Sequence, residues 1–214
     1  MADPVGNDPN GLLRRALAGD ESALAALFDG HRDRLRRMIR LRLDRRLSGR
    51  VDSSDVLQDA YLDVRRRIGE YARDPAAMPF HLWLRLIAGQ RLTDVHRYHL
   101  GSQMRDAGQE LSLHRGPFPR ADSVSLAAQL LGKMTSASKA AIRAEHKLIV
   151  QEALNSMDPI DREVLALRHF EHLSNDETAQ VLGLSKAAAS NRYIRALKRL
   201  KEILSSIPGL KEQL

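Results

Sequence analysis

At 214 residues the chain can form one domain or two small ones, and its 34 lysines and arginines against 27 aspartates and glutamates, net +7, suit a polyanionic partner. The absence of cysteine excludes a disulfide framework and thiolate metal sites. No apolar run approaches a membrane span and the opening MADPVGNDPNG lacks a signal pattern, so a soluble cytoplasmic protein without membrane insertion is expected.

Apolar residues recur at helical spacing and alternating segments are nearly absent, which points to an all-α fold. Two small helical domains joined by a flexible linker are expected, the second containing a helix-turn-helix. The first domain, residues 11–99, holds helix candidates at 11–18, 21–47, 54–71 and 79–98. Residues 31–50 carry nine arginines against two aspartates, with Leu35, Met38, Ile39, Leu43 and Leu47 forming an apolar side. Arginine stems covering the edge of a core account for such a stretch as readily as a nucleic-acid face does.

In the third candidate helix Ser53 or Ser54 is placed to cap, and Asp55 sits near the positive end. Val56, Leu57, Ala60, Tyr61 and Val64 form its core face. Its polar edge, Asp55, Gln58 and Asp59, lies beside abundant arginine and is a candidate protein-binding surface. The fourth contains the only tryptophan, Trp83, which with Leu84, Leu86, Ile87 and Leu92 is expected to lock the helices together. Arg85, Gln90, Arg91, Asp94, His96 and Arg97 occupy more polar directions. His81, His96 and His99 lack an evident further ligand, so surface histidines are preferred over a metal site.

Residues 100–138 read as the linker. Glycines and prolines crowd toward Gly116, Pro117 and Pro119 and resist a continuous helix, although 122–131 can form a short one. This stretch is expected to stay largely without a fixed fold in the free protein.

The second domain, residues 139–205, opens on a long helix and continues through a capped helix after Asp158-Pro159, with Val164, Leu165 and Leu167 available for packing. Ser174 and Glu177 then form a capping box, Gly183 permits a sharp turn, and Ser185 is placed to cap the next helix. That last helix carries Lys186, Arg192, Arg195, Lys198, Arg199 and Lys201 with no acid between them. Ala189, Tyr193, Ile194, Leu197 and Leu200 are assigned to its inward side, leaving a polar and positive face suited to a major groove. A capped hairpin with a merely solvated basic face is the plain alternative. Base selection falls to Lys186, Ser190, Asn191 and Arg192, whereas Arg195, Lys198 and Arg199, later on the helix, are expected at phosphates or in solvent.

The segments VDSSDVLQDAYLDVRRRIGEY, PFHLWLRLIAGQRLTDVHR and DREVLALRHFEHLSNDETAQVLGLSKAAASNRYIRALKRLKE stand in this order around the Pro/Gly-bearing stretch. Together they make the chain resemble the small, extracytoplasmic-function (ECF) sigma factors of the sigma-70 family over residues 20–99 and 147–205. The resemblance implies that the first domain is region 2, which binds the clamp helices of core RNA polymerase through Asp55, Gln58 and Asp59. It implies recognition and opening of the −10 promoter element around Gln90, Arg91, Asp94, His96 and Arg97, with residues 69–79 receiving an unstacked base. The second domain would be region 4, reading the −35 element through Lys186, Ser190, Asn191, Arg192 and Arg195, and the linker would thread toward the polymerase active-site channel. Many relatives have a Leu-Pro pair where this chain has Met157-Asp158-Pro159-Ile160.

Implied partners are core RNA polymerase, promoter DNA and, as many relatives use one, an inhibitory anti-sigma protein. Lacking the large additional regions of housekeeping sigma factors, the protein is expected to serve a restricted promoter set. No Gly-rich phosphate loop, no Ser-His-Asp order in suitable turns and no metal cluster is evident, so neither catalytic residues nor a cofactor are expected. The alternative, a two-domain helix-turn-helix regulator that is not a polymerase subunit, explains the carboxy-terminal hairpin but gives Asp55, Gln58 and Asp59 no shared task with the fourth helix.

Overall fold

The computed structural model describes residues 8–47, 49–100, 118–132 and 140–206, and these divide between two units, the first ending at Pro119 and the second beginning at Arg120. Aspartates start the first three helices of the amino-terminal unit. Asp8 accepts from the Gly11 amide at 3.0 Å and, with Pro9 at the first helical position, opens α1, Pro9–Leu17. Asp20 opens α2, Glu21–Arg42, by accepting from the Ala23 amide at 3.0 Å, and also takes the Arg15 guanidinium of α1 at 2.7 Å. The Ser22 hydroxyl, the Ala23 amide and Arg15, in that order, hold the Asp20 carboxyl well below the usual carboxylate range.

The cap of α3, Ser53–Arg73, is Asp52 and neither serine. Asp52 accepts from the Ser54 amide at 3.0 Å while Asp55 accepts from the Asp52 amide at 3.2 Å, a capping box. Ser53 is buried and its hydroxyl is spent on Asp52, which is why it does not take the cap itself.

The long helix expected over 21–47 stops at Arg42. Leu43 turns to extended backbone, a 3-10 turn follows at Arg45–Leu47, and the Asp44 amide donates to His96 Nε2 at 3.2 Å instead of continuing the helical ladder. His96 belongs to α4, Phe80–Leu100, so a contact from the far end of the unit breaks the helix. Leu24, Phe28, Met38 and Ile39 of α2 meet Val56, Leu57 and Val64 of α3 and Trp83, Ile87 and Leu92 of α4 in one core. Trp83 forms an aromatic triangle within it with Tyr71 and Phe80, ring centroids 5.2 and 5.7 Å away, those two rings standing 5.2 Å from each other.

The chain returns to α4 at Phe118, whose ring lies over the Arg85 guanidinium at 4.3 Å and that of Arg42 at 5.5 Å. Gly89 makes room for it. A Cβ there would stand 1.6 Å from the Phe118 ring, so this glycine is required by close approach.

The second unit holds α5, Ser123–Gly132, α6, Ala140–Asn155, α7, Pro159–Leu165, α8, Asn175–Leu182 and α9, Lys186–Ser206. Asp158 caps α7 with Pro159 at the first helical position, and α7 runs directly into a π-helical turn at Ala166–Phe170. The expectation that 100–138 is a linker is corrected for α5 and the residues just before it. Leu126, Ala127 and Leu131 are buried, the Ala121 amide donates to Glu163 at 2.8 Å, and the Ser123 hydroxyl donates to Asn155 at 2.6 Å. The glycines and prolines that argued for a linker all precede α5, and Ser123–Gly132 itself carries enough apolar surface to pack against α6. The remainder of that expectation, at 101–117 and 133–138, lies outside the described residues.

Candidate nucleic-acid interface

Every local signal of the hairpin is realised. The Glu177 amide donates to Ser174 Oγ at 3.2 Å and the Ser174 amide to Glu177 Oε2 at 2.6 Å, which fixes the start of α8. Gly183 adopts φ 63°, in the left-handed region, and the Leu184 amide closes back on the Ala179 carbonyl at 2.9 Å. Ser185 Oγ accepts from the Ala188 amide at 3.1 Å, starting α9. Asn175 Nδ2 donates to the Lys186 carbonyl at 3.0 Å, so the first turns of α8 and α9 are tied together, and Lys186 Nζ meets Asp176 at 2.6 Å.

Arg192 departs from its expected place, and Arg195 shares its partner. Both converge on Asp161 of α7, Arg192 through one contact at 2.7 Å and Arg195 through two at 2.5 and 2.7 Å, and Arg192 also reaches Asp158 at 3.3 Å. The Asp161 side chain is 5% exposed. Burial works to raise its pKa, but hydrogen bonds from Arg195 and Arg192 outweigh that and hold it below the ordinary carboxylate value. A buried carboxylate demands such partners, so both arginines brace α7 against α9; Arg192 is drawn in from the place expected of a base reader, whereas the Arg195 side chain stays 61% exposed, as expected of a residue at phosphate or in solvent.

The outward line of α9 is instead Ala187, Asn191, Ile194, Lys198 and Lys201, all exposed and spaced three or four apart. Opposite it Ala189, Ala196, Leu200 and Ile203 are buried. Ile194, assigned to the inward side from the sequence, is 48% exposed. The spacing of Ala189, Ala196, Leu200 and Ile203 was the signal that could have placed it outward. Ser190 is half-buried at the margin, and Tyr193 turns to the flank, where its hydroxyl meets His169 Nε2 at 3.1 Å and Arg168 lies 4.9 Å over its ring.

In the first unit Asp55 and Gln58 are exposed on α3, with Asp55 also serving the capping box. Asp59 is half-buried and takes Arg91 of α4 at 2.6 Å. Gln90 accepts from Arg67 of α3 at 2.7 Å, and the exposed Asp94 and Arg97 stand 3.9 Å apart. His96 is corrected from a surface to an interior position. It is 4% exposed, burial pushes its pKa down, and Nε2 accepts the Asp44 amide, a bond only the neutral ring can make. Neighbouring Tyr98 is 85% exposed and was not singled out from the sequence.

The expected base-receiving segment, 69–79, is shorter as a loop because α3 continues to Arg73. Residues 74–79 remain, anchored beneath by buried Tyr71, whose hydroxyl donates toward the Met78 carbonyl at 3.3 Å. Among the described residues no three His, Asp or Glu side chains gather as a metal site, and no helix is long and apolar enough to cross a membrane.

Residues 147–200, from α6 into α9, match the family model described as sigma-70, region 4. The chain is 28% identical over 199 residues to the ECF RNA polymerase sigma factor BldN of Streptomyces coelicolor, which covers 90% of this chain and 64% of that protein, just under two thirds. It is 27% identical over 201 residues to the ECF RNA polymerase sigma factor SigK of a Mycobacterium species, covering 94% of this chain and 92% of the relative. The RNA polymerase sigma factor NccH of Alcaligenes xylosoxydans is 26% identical over 209 residues, covering 96% and 98%. In fold the chain is similar to the solved structure of CnrH in complex with the cytosolic domain of CnrY, with a TM-score of 0.55 at 24% identity, covering 91% of this chain and 96% of that one.

Proposed function

The chain belongs to the sigma-70 family of RNA polymerase sigma factors, in its extracytoplasmic-function type, and from that premise we propose that it binds core RNA polymerase, directs it to a restricted set of promoters and promotes opening of the −10 element. One coincidence carries the reading: the region 4 match falls on the α8–α9 hairpin, whose outward line carries Asn191, Lys198 and Lys201 and no acid. In this proposal α9 reads the −35 element through its outward line, with Ser190 at its edge and Lys186 at its start, while Arg192 and Arg195 hold the helix in place. Asp55, Gln58 and Asp59 meet the polymerase. Gln90, Arg91, Asp94 and Arg97 face the −10 element, His96 supports them from inside, and residues 74–79 receive an unstacked base.

The chemistry is binding and strand separation in the cytoplasm, and no residue is assigned a catalytic step. An inhibitory anti-sigma protein belongs to the proposal as a partner, in keeping with the structure of CnrH bound to a second protein. The family membership favours this reading over a free-standing helix-turn-helix regulator, which would bind DNA alone. Purified protein should co-elute with core RNA polymerase at moderate salt and confer promoter-specific initiation on it. Binding of DNA without any association with core polymerase would overturn the proposal in favour of the regulator.

A further inference from the structure

Ile194 is the anomaly of α9. An amphipathic helix buries its large apolar side chains and turns polar ones outward. This helix buries Ala189, Ala196, Leu200 and Ile203, yet keeps a branched aliphatic side chain 48% exposed on the opposite line, between Asn191 and Lys198. The side chains of those two neighbours make no hydrogen bond or ion pair among the described residues. Off this line, Arg192 and Arg195 are engaged by Asp161, Arg199 meets Glu202, and Lys186 at the start of the helix pairs with the exposed Asp176. Beyond Ala187 the line itself is a row of one amide, one aliphatic group and two ammonium groups, Asn191, Ile194, Lys198 and Lys201 in that order.

Resting on the proposed reading of α9, we infer that Ile194 is a specificity residue that packs on the C5-methyl group of a thymine in the −35 element. The thymine methyl is the one apolar feature that a base pair presents in the major groove. A side chain selected to meet it must be apolar, exposed and set among groups that hold the helix to DNA, and Ile194 meets all three conditions. The spacing fits as well. Three residues of helix rise about 4.5 Å against about 3.4 Å per base-pair step, so with the helix inclined across the groove an adenine paired in bidentate fashion with Asn191 and a thymine methyl against Ile194 lie at neighbouring positions. Lys198 and Lys201, one and two turns further on, are then left for phosphates.

The test uses holoenzyme assembled from the full chain and core RNA polymerase, with a duplex promoter selected by that holoenzyme from a pool randomised at the −35 element. Each thymine of the element, on either strand, is replaced singly by deoxyuracil, which removes only the methyl group. At one thymine the wild-type holoenzyme should lose about fourfold in affinity, the worth of one apolar carbon removed from water. Ile194→Ala should bind the unmodified promoter at least as weakly and show no further loss at that thymine, while responding normally to deoxyuracil elsewhere. Circular dichroism of the variant should match the wild type, since the side chain is not part of the core.

If the holoenzyme selects a −35 sequence but no position loses its deoxyuracil response in Ile194→Ala, this inference falls and the sigma reading stands. If Ile194→Ala instead weakens assembly with core polymerase and leaves promoter preference intact, the residue belongs to a protein interface and the inference is likewise overturned. If no holoenzyme forms with wild-type protein, the sigma reading itself falls and takes the inference with it.

Discussion

Arg91 of α4 reaches across to Asp59 of α3 and closes an ion pair of 2.6 Å between the helix assigned to polymerase and the helix assigned to the −10 element. Both side chains are more than a third exposed, so the pair should add less than about 1 kcal/mol to stability. Asp59→Ala is therefore expected to leave the urea midpoint nearly unchanged, followed by Trp83 fluorescence. A combined Asp55→Arg and Gln58→Ala variant should weaken co-elution with core polymerase while helical content and binding of −35 DNA persist. Unaltered polymerase affinity in that variant would remove these residues from the interface.

Asp161 supplies a sharper stability prediction. Replacing it by alanine removes charge-assisted hydrogen bonds to both Arg192 and Arg195, and the loss should be about 1–3 kcal/mol in denaturant unfolding of the full chain. Arg192→Ala should also lower stability because it withdraws a partner from the buried carboxylate. A variant that lost DNA sequence preference with no change in stability would place Arg192 at the bases after all. The sign with pH follows from the depressed carboxyl: its contribution is complete above the ordinary unfolded value near 4 and is lost as pH falls through the lower folded value.

The first unit should respond to pH in a higher window. Burial depresses both His96 and His31, His31 also feeling His81 and Arg34, so the unfolded chain takes up protons before the folded one does. Stability is complete above about pH 6.5 and declines as pH falls toward the depressed folded values. His96→Gln keeps an acceptor for the Asp44 amide but does not titrate, and should flatten part of the slope in Trp83-monitored unfolding between about pH 7.5 and 5.5, leaving the His31 part. An identical slope in the variant would assign the whole effect elsewhere.

Gly89 and Phe118 should behave as one unit in a double-mutant cycle. Alanine at 89 is favoured by helix propensity by about 1 kcal/mol, yet its Cβ displaces the Phe118 ring from Arg85 and Arg42. Phe118→Ala removes the same contact and should cost about 1–2 kcal/mol, less than full burial of a phenylalanine because the ring is only half-buried. Once Phe118 is alanine, Gly89→Ala should become stabilising. A cost for Gly89→Ala that persists in the double variant would show that the ring is not what the glycine accommodates.

The hairpin was legible in the sequence because its determinants are local. Ser174 and Glu177 are three residues apart, and Gly183 and Ser185 act on the helix ends beside them. What the sequence concealed depends on distant partners. The break after Arg42 needs the Asp44 amide to find His96, 52 residues away, and the bracing of α9 needs Asp161, 31 residues from Arg192. Arginine was ambiguous throughout, because the same guanidinium serves DNA or a buried carboxylate, and only packing decides. For Ser53 the local rule itself misled, since aspartate and serine cap about equally well and Asp52, one residue earlier, takes the position while the Ser53 hydroxyl donates to it.

The internal pairing of α9 also sets how its grip on DNA depends on ionic strength. Of the six cations from Lys186 to Lys201, Arg199 meets Glu202 at 3.3 Å, and Lys186, Arg192 and Arg195 already face aspartates. Those four reach a phosphate only by giving up a carboxylate, so Lys198 and Lys201 are the cations of this helix that neutralise phosphates at no such cost. Each neutralised phosphate contributes about 0.9 to the slope of log affinity against log salt, giving this helix a slope near −2 where six unengaged cations would give about −5. The helix therefore trades electrostatic pull for shape and contact, and holds its sites with comparatively little regard to the salt around it.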